Sequence, residues 1–178
     1  MVLDEGGNAI IAFSSSENNK IVLFRYDSSS GKQISALDSL GPESERVEDL
    51  RIGSKGTALV LTSHTDGGRM VRFPGDGGAA KTNDVLGIRP QKMTVRRQAV
   101  YLAGSNLETQ VLEVDKYEMS TGKFVARRAL NPEGWGSAQI GMVGVGQDNT
   151  LFISGKFNTE LDNGFLGFLM HVLPDRVK

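Results

Sequence analysis

The sequence is poor in the residue types that carry most protein chemistry. Its 178 residues include no cysteine, one tryptophan and two histidines, His64 and His171. Without cysteine the chain cannot form a disulfide framework, a thiolate metal site or a cysteine nucleophile, and no cofactor is predicted. A formal net charge of −1 excludes a broadly basic surface, so nucleic acid is not an expected partner.

Long hydrophobic runs and proline are also scarce. No apolar stretch approaches the roughly 20 residues of a transmembrane helix, so membrane insertion is not predicted. Proline contributes five residues and glycine 22, which is well above the usual glycine share of about 7%. This combination favours a protein with many tight turns between short strands.

Four short apolar segments recur along the chain and align without gaps. Each opens with a turn-forming or polar residue, continues with three or four apolar residues and closes with Ser, Thr or Gly. The segments are residues 8–14, 56–62, 98–104 and 149–155. Apolar runs of this length are typical of strands buried on both faces. Their spacing of about 40 to 50 residues is typical of four-stranded propeller blades.

A second strand and a hairpin turn follow each apolar segment. The turns Ser-Ser-Ser-Gly-Lys and Ser-Thr-Gly-Lys contain a glycine that permits positive φ. A base beside an aromatic or branched residue precedes each turn. These pairs are Arg25-Tyr26, Arg72-Phe73, Lys116-Tyr117 and His171-Val172. Because side chains alternate along a strand, the base is expected to point to water and its neighbour into the packing between blades.

The sequence therefore predicts an all-β fold, a β-propeller with about four blades that are four-stranded antiparallel meanders. The blades are expected at about residues 1–41, 47–88, 91–131 and 139–178, in a single propeller domain or a propeller fragment. The last blade has no room for its outer strand, so the ring is expected to be incomplete. A helix over residues 42–52 is the competing prediction, because an early proline and several glutamates suit a helix N-terminus.

The repeat resembles a known family. Its pattern is Gly/Asn-x-(apolar)3–4-Gly/Ser, followed by apolar-Arg/Lys-Tyr-Asp-x-x-x-Gly. This is similar to bacterial β-propeller repeats of the SBBP-like type and, more loosely, to quinoprotein-like propellers. The resemblance covers nearly the whole chain as four copies. It implies a binding or scaffold module of the bacterial periplasm or cell surface, in a family of which few members have a defined chemistry.

Candidate binding residues lie in the predicted loops. Acidic side chains occupy the loops between the second and third strands of the blades, namely Glu17, Asp66, Glu108, Glu160 and Asp162. A ring of carboxylates there can hold a cation or meet a basic partner, or it can simply be solvated. Trp135, on a glycine-flanked loop, can stack on a sugar or anchor a protein partner, or it can pack over the adjoining blade.

Enzymatic activity is not predicted. His64 lies between Ser63 and Asp66, but neighbours on one loop cannot generally adopt the geometry of a catalytic triad. No Gly-x-Ser-x-Gly turn, which would expose a strained nucleophile, occurs in the sequence.

The last predicted blade leaves an apolar strand edge, formed by Phe165, Phe168, Met170 and Val172. Natural proteins pair or cover such an edge. We therefore predict a non-catalytic structural or protein-interaction subunit of a larger assembly, completed by further blades, a second copy or a partner's strand. The alternative is a surface-exposed carbohydrate-binding (lectin-like) or adhesive propeller that uses Trp135 and the acidic loops.

Overall fold

The computed structural model describes residues 1–15, 17–42, 44–130, 138–148, 150–158 and 165–172, which form four antiparallel sheets. The first sheet contains β1 (Val2–Leu3), β2 (Ala9–Ser15), β3 (Lys20–Tyr26) and β4 (Gln33–Leu40). The second contains β5 (Arg46–Ile52), β6 (Ala58–His64), β7 (Gly67–Phe73) and β8 (Lys81–Val85). The third contains β9 (Ile88–Arg96), β10 (Ala99–Asn106), β11 (Leu112–Glu118) and β12 (Phe124–Leu130). The fourth contains β13 (Ala138–Val145), β14 (Leu151–Asn158) and β15 (Phe165–Val172).

Each sheet is a meander, in which every strand is hydrogen-bonded to the next strand along the chain. Besides the strands, the described ranges contain one 3₁₀ turn, Ser54–Gly56, and no α-helix. The predicted all-β, partial propeller is thus confirmed. Residues 46–52 form β5 and not a helix, because the extended backbone brings Val47, Leu50 and Ile52 to the apolar cluster between the first and second sheets.

The sheets pack on one another along their inner edges: β1 and β2 contact β5, β5 contacts β9, and β9 contacts β13. Strands β5, β9 and β13 each carry one bulged residue, at Glu48, Gln91 and Gly141. Opposite two of these bulges the neighbouring strand has glycine. A Cβ on Gly104 would lie 2.3 Å from the Arg89 carbonyl oxygen, so the close approach of the backbone at this bulge requires glycine.

Three buried apolar clusters fill the three junctions between consecutive sheets. The first junction contains Ile10, Leu23, Val71 and Phe73. The second contains Leu61, Met70, Met93 and Leu102. The third contains Tyr101, Val114, Leu151 and Ile153. Within the described ranges no such cluster joins the fourth sheet to the first, so the four sheets do not close on themselves.

Both end sheets therefore present one uncovered face. Alternate residues of β2 and β3 form the open face of the first sheet, where Phe13 is 42% exposed and stacks on Phe24, with ring centroids 5.5 Å apart. Tyr26 continues this aromatic row, 6.0 Å from Phe24. The open face of the fourth sheet is formed by Met142, Phe152, Leu169 and His171.

Candidate functional site

Basic side chains join each of the first two sheets to the backbone of the next sheet. Arg25 on β3 is paired in register with Ile10, and Arg72 at the corresponding place on β7 is paired with Leu59. Each guanidinium donates to carbonyl oxygens in or beside the turn that follows the third strand of the next sheet. We call this arrangement the base-to-turn contact.

Arg72 makes the stronger base-to-turn contact. Its Nη1 donates to the carbonyl of Ser120 at 2.5 Å, and its Nη2 donates to the carbonyl of Thr121 at 2.7 Å. A further bond from Nη2 reaches Asn83 Oδ1 at 2.9 Å. Burial lowers the pKa of Arg72, and these oxygen acceptors offset the desolvation of its charge. Since Arg72 is only 7% exposed, the expectation that this base points to water is wrong. A propeller sheet in mid-array is covered on both faces.

Arg25 makes a looser contact of the same kind. Its Nη1 lies 3.4 Å from the Gly75 carbonyl and its Nη2 lies 3.3 Å from the Gly56 carbonyl. The Nε atom is 3.5 Å from Asp4 Oδ2, which supplies a partial counter-charge. The first junction is therefore closed by longer hydrogen bonds than the second.

Lys116 occupies the corresponding place on the third sheet, paired in register with Tyr101. Its Nζ lies 5.9 Å from the Tyr101 ring centroid, in a cation–π contact. Both side chains line an open cleft of about 700 Å³, together with Arg96, Lys123 and Phe124. At the other two junctions the corresponding base donates to carbonyl oxygens of the following sheet.

A buried ion pair lies between the first and second sheets, next to the end of β4. Arg69 Nε donates to Glu45 Oε1 at 2.7 Å and Arg69 Nη2 donates to Glu45 Oε2 at 2.5 Å. Thr62 also donates its hydroxyl to Glu45, and Arg69 Nη1 donates to the Leu40 carbonyl at 2.8 Å. Both charged groups are thus hydrogen-bonded, and the pair links Glu45, which directly precedes β5, to β7.

A second charged network lies on the face of the third sheet that meets the second sheet. Asp115 is fully buried and accepts hydrogen bonds from Arg127 Nε at 2.7 Å and Nη2 at 2.8 Å. This hydrogen bonding raises the pKa of Arg127. Burial raises the pKa of Tyr117, whose hydroxyl donates to Asp115 at 3.3 Å. The Asp115 carboxylate is therefore occupied by its neighbours and holds β11 to β12.

Three of the five predicted acidic loop residues fall in the part of the chain that the structure describes, and they form no metal-binding cluster there. Glu17, Asp66 and Glu108 are exposed and lie in the turns between the second and third strands of the first three sheets. In the part of the chain that the structure describes, no group of three or more His, Asp or Glu side chains could hold a metal ion. Trp135, Glu160 and Asp162 lie outside the described residues.

Strand β15 lies at the edge of the three-stranded fourth sheet, and three of the four side chains predicted to form an assembly edge there face the third sheet. Val172 is buried in the cluster between the third and fourth sheets, and Phe168 and Met170 pack against that cluster. The side chain of Phe165 lies outside the described residues. Because side chains alternate along β15, the uncovered apolar surface is formed instead by Leu169 and by Phe152 on β14. The repeat alignment had indicated which residues are alike but not which face is covered.

No protein-family model matches the sequence, and no curated protein matches it. Solved structures do, at low identity. The chain is similar to hydrazine synthase of Kuenenia stuttgartiensis, with a TM-score of 0.74 and 14% identity over 97% of this chain and 49% of that one. It is similar to a dihydro-heme d1 dehydrogenase, with a TM-score of 0.58 and 8% identity over 97% and 36% of the two chains. A protein from Lactobacillus plantarum gives 0.57 and 13%, over 92% and 53%.

At these identities the likeness establishes a propeller-type fold and no more. The chain spans about half of the hydrazine synthase and Lactobacillus plantarum chains and about a third of the dehydrogenase. Two of the three structures are enzymes by name, and this contradicts the prediction that the present protein is not an enzyme. That prediction relied on short motifs, whereas sites on such scaffolds are assembled from loops distant in sequence. Among the described residues no helix is long and apolar enough to cross a membrane.

Proposed function

We propose that this chain forms part of a larger β-propeller and acts there as a structural and protein-binding subunit that further sheets complete. The main support is that the two end sheets each leave an apolar face uncovered. Phe152 is 37% and Leu169 is 72% exposed on the fourth sheet, and Phe13 is comparably exposed on the first. Contiguous apolar surface of this kind marks an interaction site.

The internal junctions indicate what covers such a face. Each is filled by apolar side chains from two neighbouring sheets, and the first two are closed at the side by a base-to-turn contact. A further meander sheet is therefore the partner that best fits either open face. We also propose that these sheets are bacterial repeats of the SBBP-like type, because the turn and core residues of the chain match that repeat pattern. A ring of this kind can belong to an enzyme, as the names of the solved neighbours indicate.

The proposal predicts that the isolated chain associates through its end faces. Size-exclusion chromatography with light scattering measures the mass, and binding of an apolar dye measures uncovered surface. We expect concentration-dependent association that Phe13→Ser and Leu169→Ser both reduce, because each removes apolar area from an open face.

Leu86→Ser is the matched control. Leu86 is 73% exposed, close to the value for Leu169, but it follows β8 and lies on neither open face. It should leave association unchanged. A chain that stays monomeric at its highest soluble concentration and binds no dye would overturn the proposal.

A further inference from the structure

The hairpin turn of the first sheet has the same construction as the turn that Arg72 contacts in the third sheet. In the third sheet Gly122 N donates to the Glu118 carbonyl at 2.8 Å, and Glu118 N donates to the Lys123 carbonyl at 2.9 Å. In the first sheet Gly31 N donates to the Asp27 carbonyl at 2.8 Å, and Asp27 N donates to the Lys32 carbonyl at 2.9 Å. Gly31 and Gly122 have φ angles of 67° and 72°.

This correspondence assigns equivalent carbonyl groups in the two turns. Met119, Ser120 and Thr121, whose carbonyls accept from Arg72, correspond to Ser28, Ser29 and Ser30. The three serines are exposed. Among the described residues no side chain donates to their carbonyl oxygens. The first sheet therefore presents a preformed acceptor turn beside its open aromatic face.

The opposite end of the array carries the matching donor. His171 is paired in register with Phe152, as Arg72 is with Leu59 and Arg25 is with Ile10. Its side chain accordingly lies on the open face of the fourth sheet, where its ring is 5.4 Å from that of Phe152. An imidazole donates through a ring N–H in either charge state. Acceptor and donor thus lie on the first and the fourth sheet, at opposite ends of the described array.

The apolar surfaces correspond in the same way. Tyr26 occupies the register position of Phe73 and Tyr117, which pack into the junctions with their preceding sheets. On the first sheet that surface has no preceding sheet in the described chain. Leu169 and Phe152 of the fourth sheet supply an apolar surface with no following sheet. Each open face is therefore one half of the junction type that the chain already builds internally.

We propose that the partner is a second copy of this chain, docked head to tail. The fourth sheet of each copy covers the first sheet of the other, and His171 donates to the carbonyls of residues 28–30 across the junction. Two such junctions cover the open faces of the described end sheets in both copies and give a ring of eight sheets, within the four to eight blades that propellers adopt. This inference rests on the proposed function and names the partner.

Sedimentation equilibrium of the full chain tests the pairing. We expect a dimer that does not grow further, because the two junctions exhaust both faces. His171→Asp should raise the dissociation constant at least about tenfold, since a carboxylate faces carbonyl oxygens where a donor is needed. His171→Arg, which places at this position the residue found at 25 and 72, should lower it. His64→Asp, away from both open faces, is the matched control and should change nothing.

Chemical cross-linking gives an independent measurement. Because the chain has no cysteine, a variant with both Ser29→Cys and His171→Cys offers only these two thiols to a short bismaleimide. The expected product is a covalent dimer, which a Ser29→Cys, His64→Cys variant should not give. Open-ended polymers, or association that ignores the His171 variants and yields no covalent dimer, would overturn the second-copy inference and leave the proposed function standing. A monomer without exposed apolar surface would overturn both.

Discussion

The first and second sheets have the same meander topology but differ sharply in how much of their surface is covered. Strands β6 and β7 are buried along almost their whole length, whereas β2 and β3 alternate between buried and partly exposed side chains. Their residues are similarly apolar, since β2 contains two isoleucines and a phenylalanine and β6 contains two leucines and a valine. The difference therefore comes from the number of neighbouring sheets and not from residue choice.

Ion pairs in the two regions also differ in how much of the side chains is exposed. Between the first two sheets Glu45 and Arg69 form a buried ion pair, whereas Lys20 and Asp38, within the first sheet, form a pair at 2.7 Å with both side chains substantially exposed. The buried ion pair should therefore contribute much more to the free energy of unfolding than the exposed pair, because removing one partner of a buried pair leaves an unpaired buried charge.

Glu45→Ala should have the largest effect on stability. Removing the carboxylate leaves the Arg69 guanidinium buried without its bidentate partner, and we expect the free energy of unfolding to fall by about 3–5 kcal/mol. Asp38→Ala, in the exposed pair, should lower it by less than about 1 kcal/mol. Urea denaturation followed by circular dichroism measures both. Equal losses would mean that coverage by neighbouring sheets does not determine the strength of these pairs.

Arg72→Met should rank next. The methionine leaves the carbonyls of Met119, Ser120 and Thr121 without their donor, and the expected loss is about 2–4 kcal/mol. Arg25→Met removes hydrogen bonds of 3.3 and 3.4 Å and the 3.5 Å contact with Asp4, and it should cost about 1 kcal/mol. The comparison uses the same denaturation assay. A larger loss for Arg25→Met would mean that the base-to-turn contact of Arg25 contributes more to stability than that of Arg72.

The sequence predicted the strands and their order well because propeller sheets impose a local pattern. The second strand of each sheet begins within one of the segments 8–14, 56–62, 98–104 and 149–155, and short apolar runs bounded by turn residues favour strands. The role of Arg25 and Arg72 was missed because it depends on a turn about 50 residues later in the chain. The recurrence of a base beside an aromatic residue in successive repeats could have indicated this role. Strand alternation alone predicted that the base points to water, and this prediction was wrong.

The site predictions were limited for a related reason. Register pairing, and not composition, determines that Val172 faces the third sheet while His171 faces outward. A one-residue shift exchanges the two faces of a strand, and the sequence alone did not indicate which face has a neighbour. The acidic positions Glu17, Asp66 and Glu108 were placed in the correct turns because turns are local, but their separation is a property of the whole array.

Gly104→Ala should destabilise the third sheet by about 1–3 kcal/mol. The added Cβ would lie 2.3 Å from the Arg89 carbonyl oxygen and 2.8 Å from Pro90 Cα, and backbone atoms cannot easily move away. Gly144→Ala, on β13, is the matched control because its added Cβ meets nothing within 4 Å. Thermal unfolding of both variants measures the effect. A Gly104→Ala protein as stable as the control would show that the bulge at Gln91 can relax.

The smallest expected effect on stability concerns the turn after β3, residues 27–32. Among the described residues no base makes a base-to-turn contact with it. The hydroxyl of Ser29 and the backbone and hydroxyl of Ser30 donate to Asp27, and these bonds lower its pKa to about 2. Because the folded pKa lies below the unfolded value of about 4, the stabilisation is present above that value and is lost as the pH falls through about 2. Ser29→Ala with Ser30→Ala should return the pKa towards its ordinary range.

An NMR titration of the Asp27 carboxyl carbon measures this pKa directly. Ser28→Ala is the matched control, because its hydroxyl donates no bond to Asp27 and its removal should leave the pKa low. If the bonds from Ser29 and Ser30 to Asp27 hold the turn in shape without a partner, the Asp27 pKa should be equally low in the monomer and in the dimer. The titration is therefore repeated at a low and at a high protein concentration. A pKa that falls only on association would mean that the partner shapes the turn, and the acceptor carbonyls would then not be preformed.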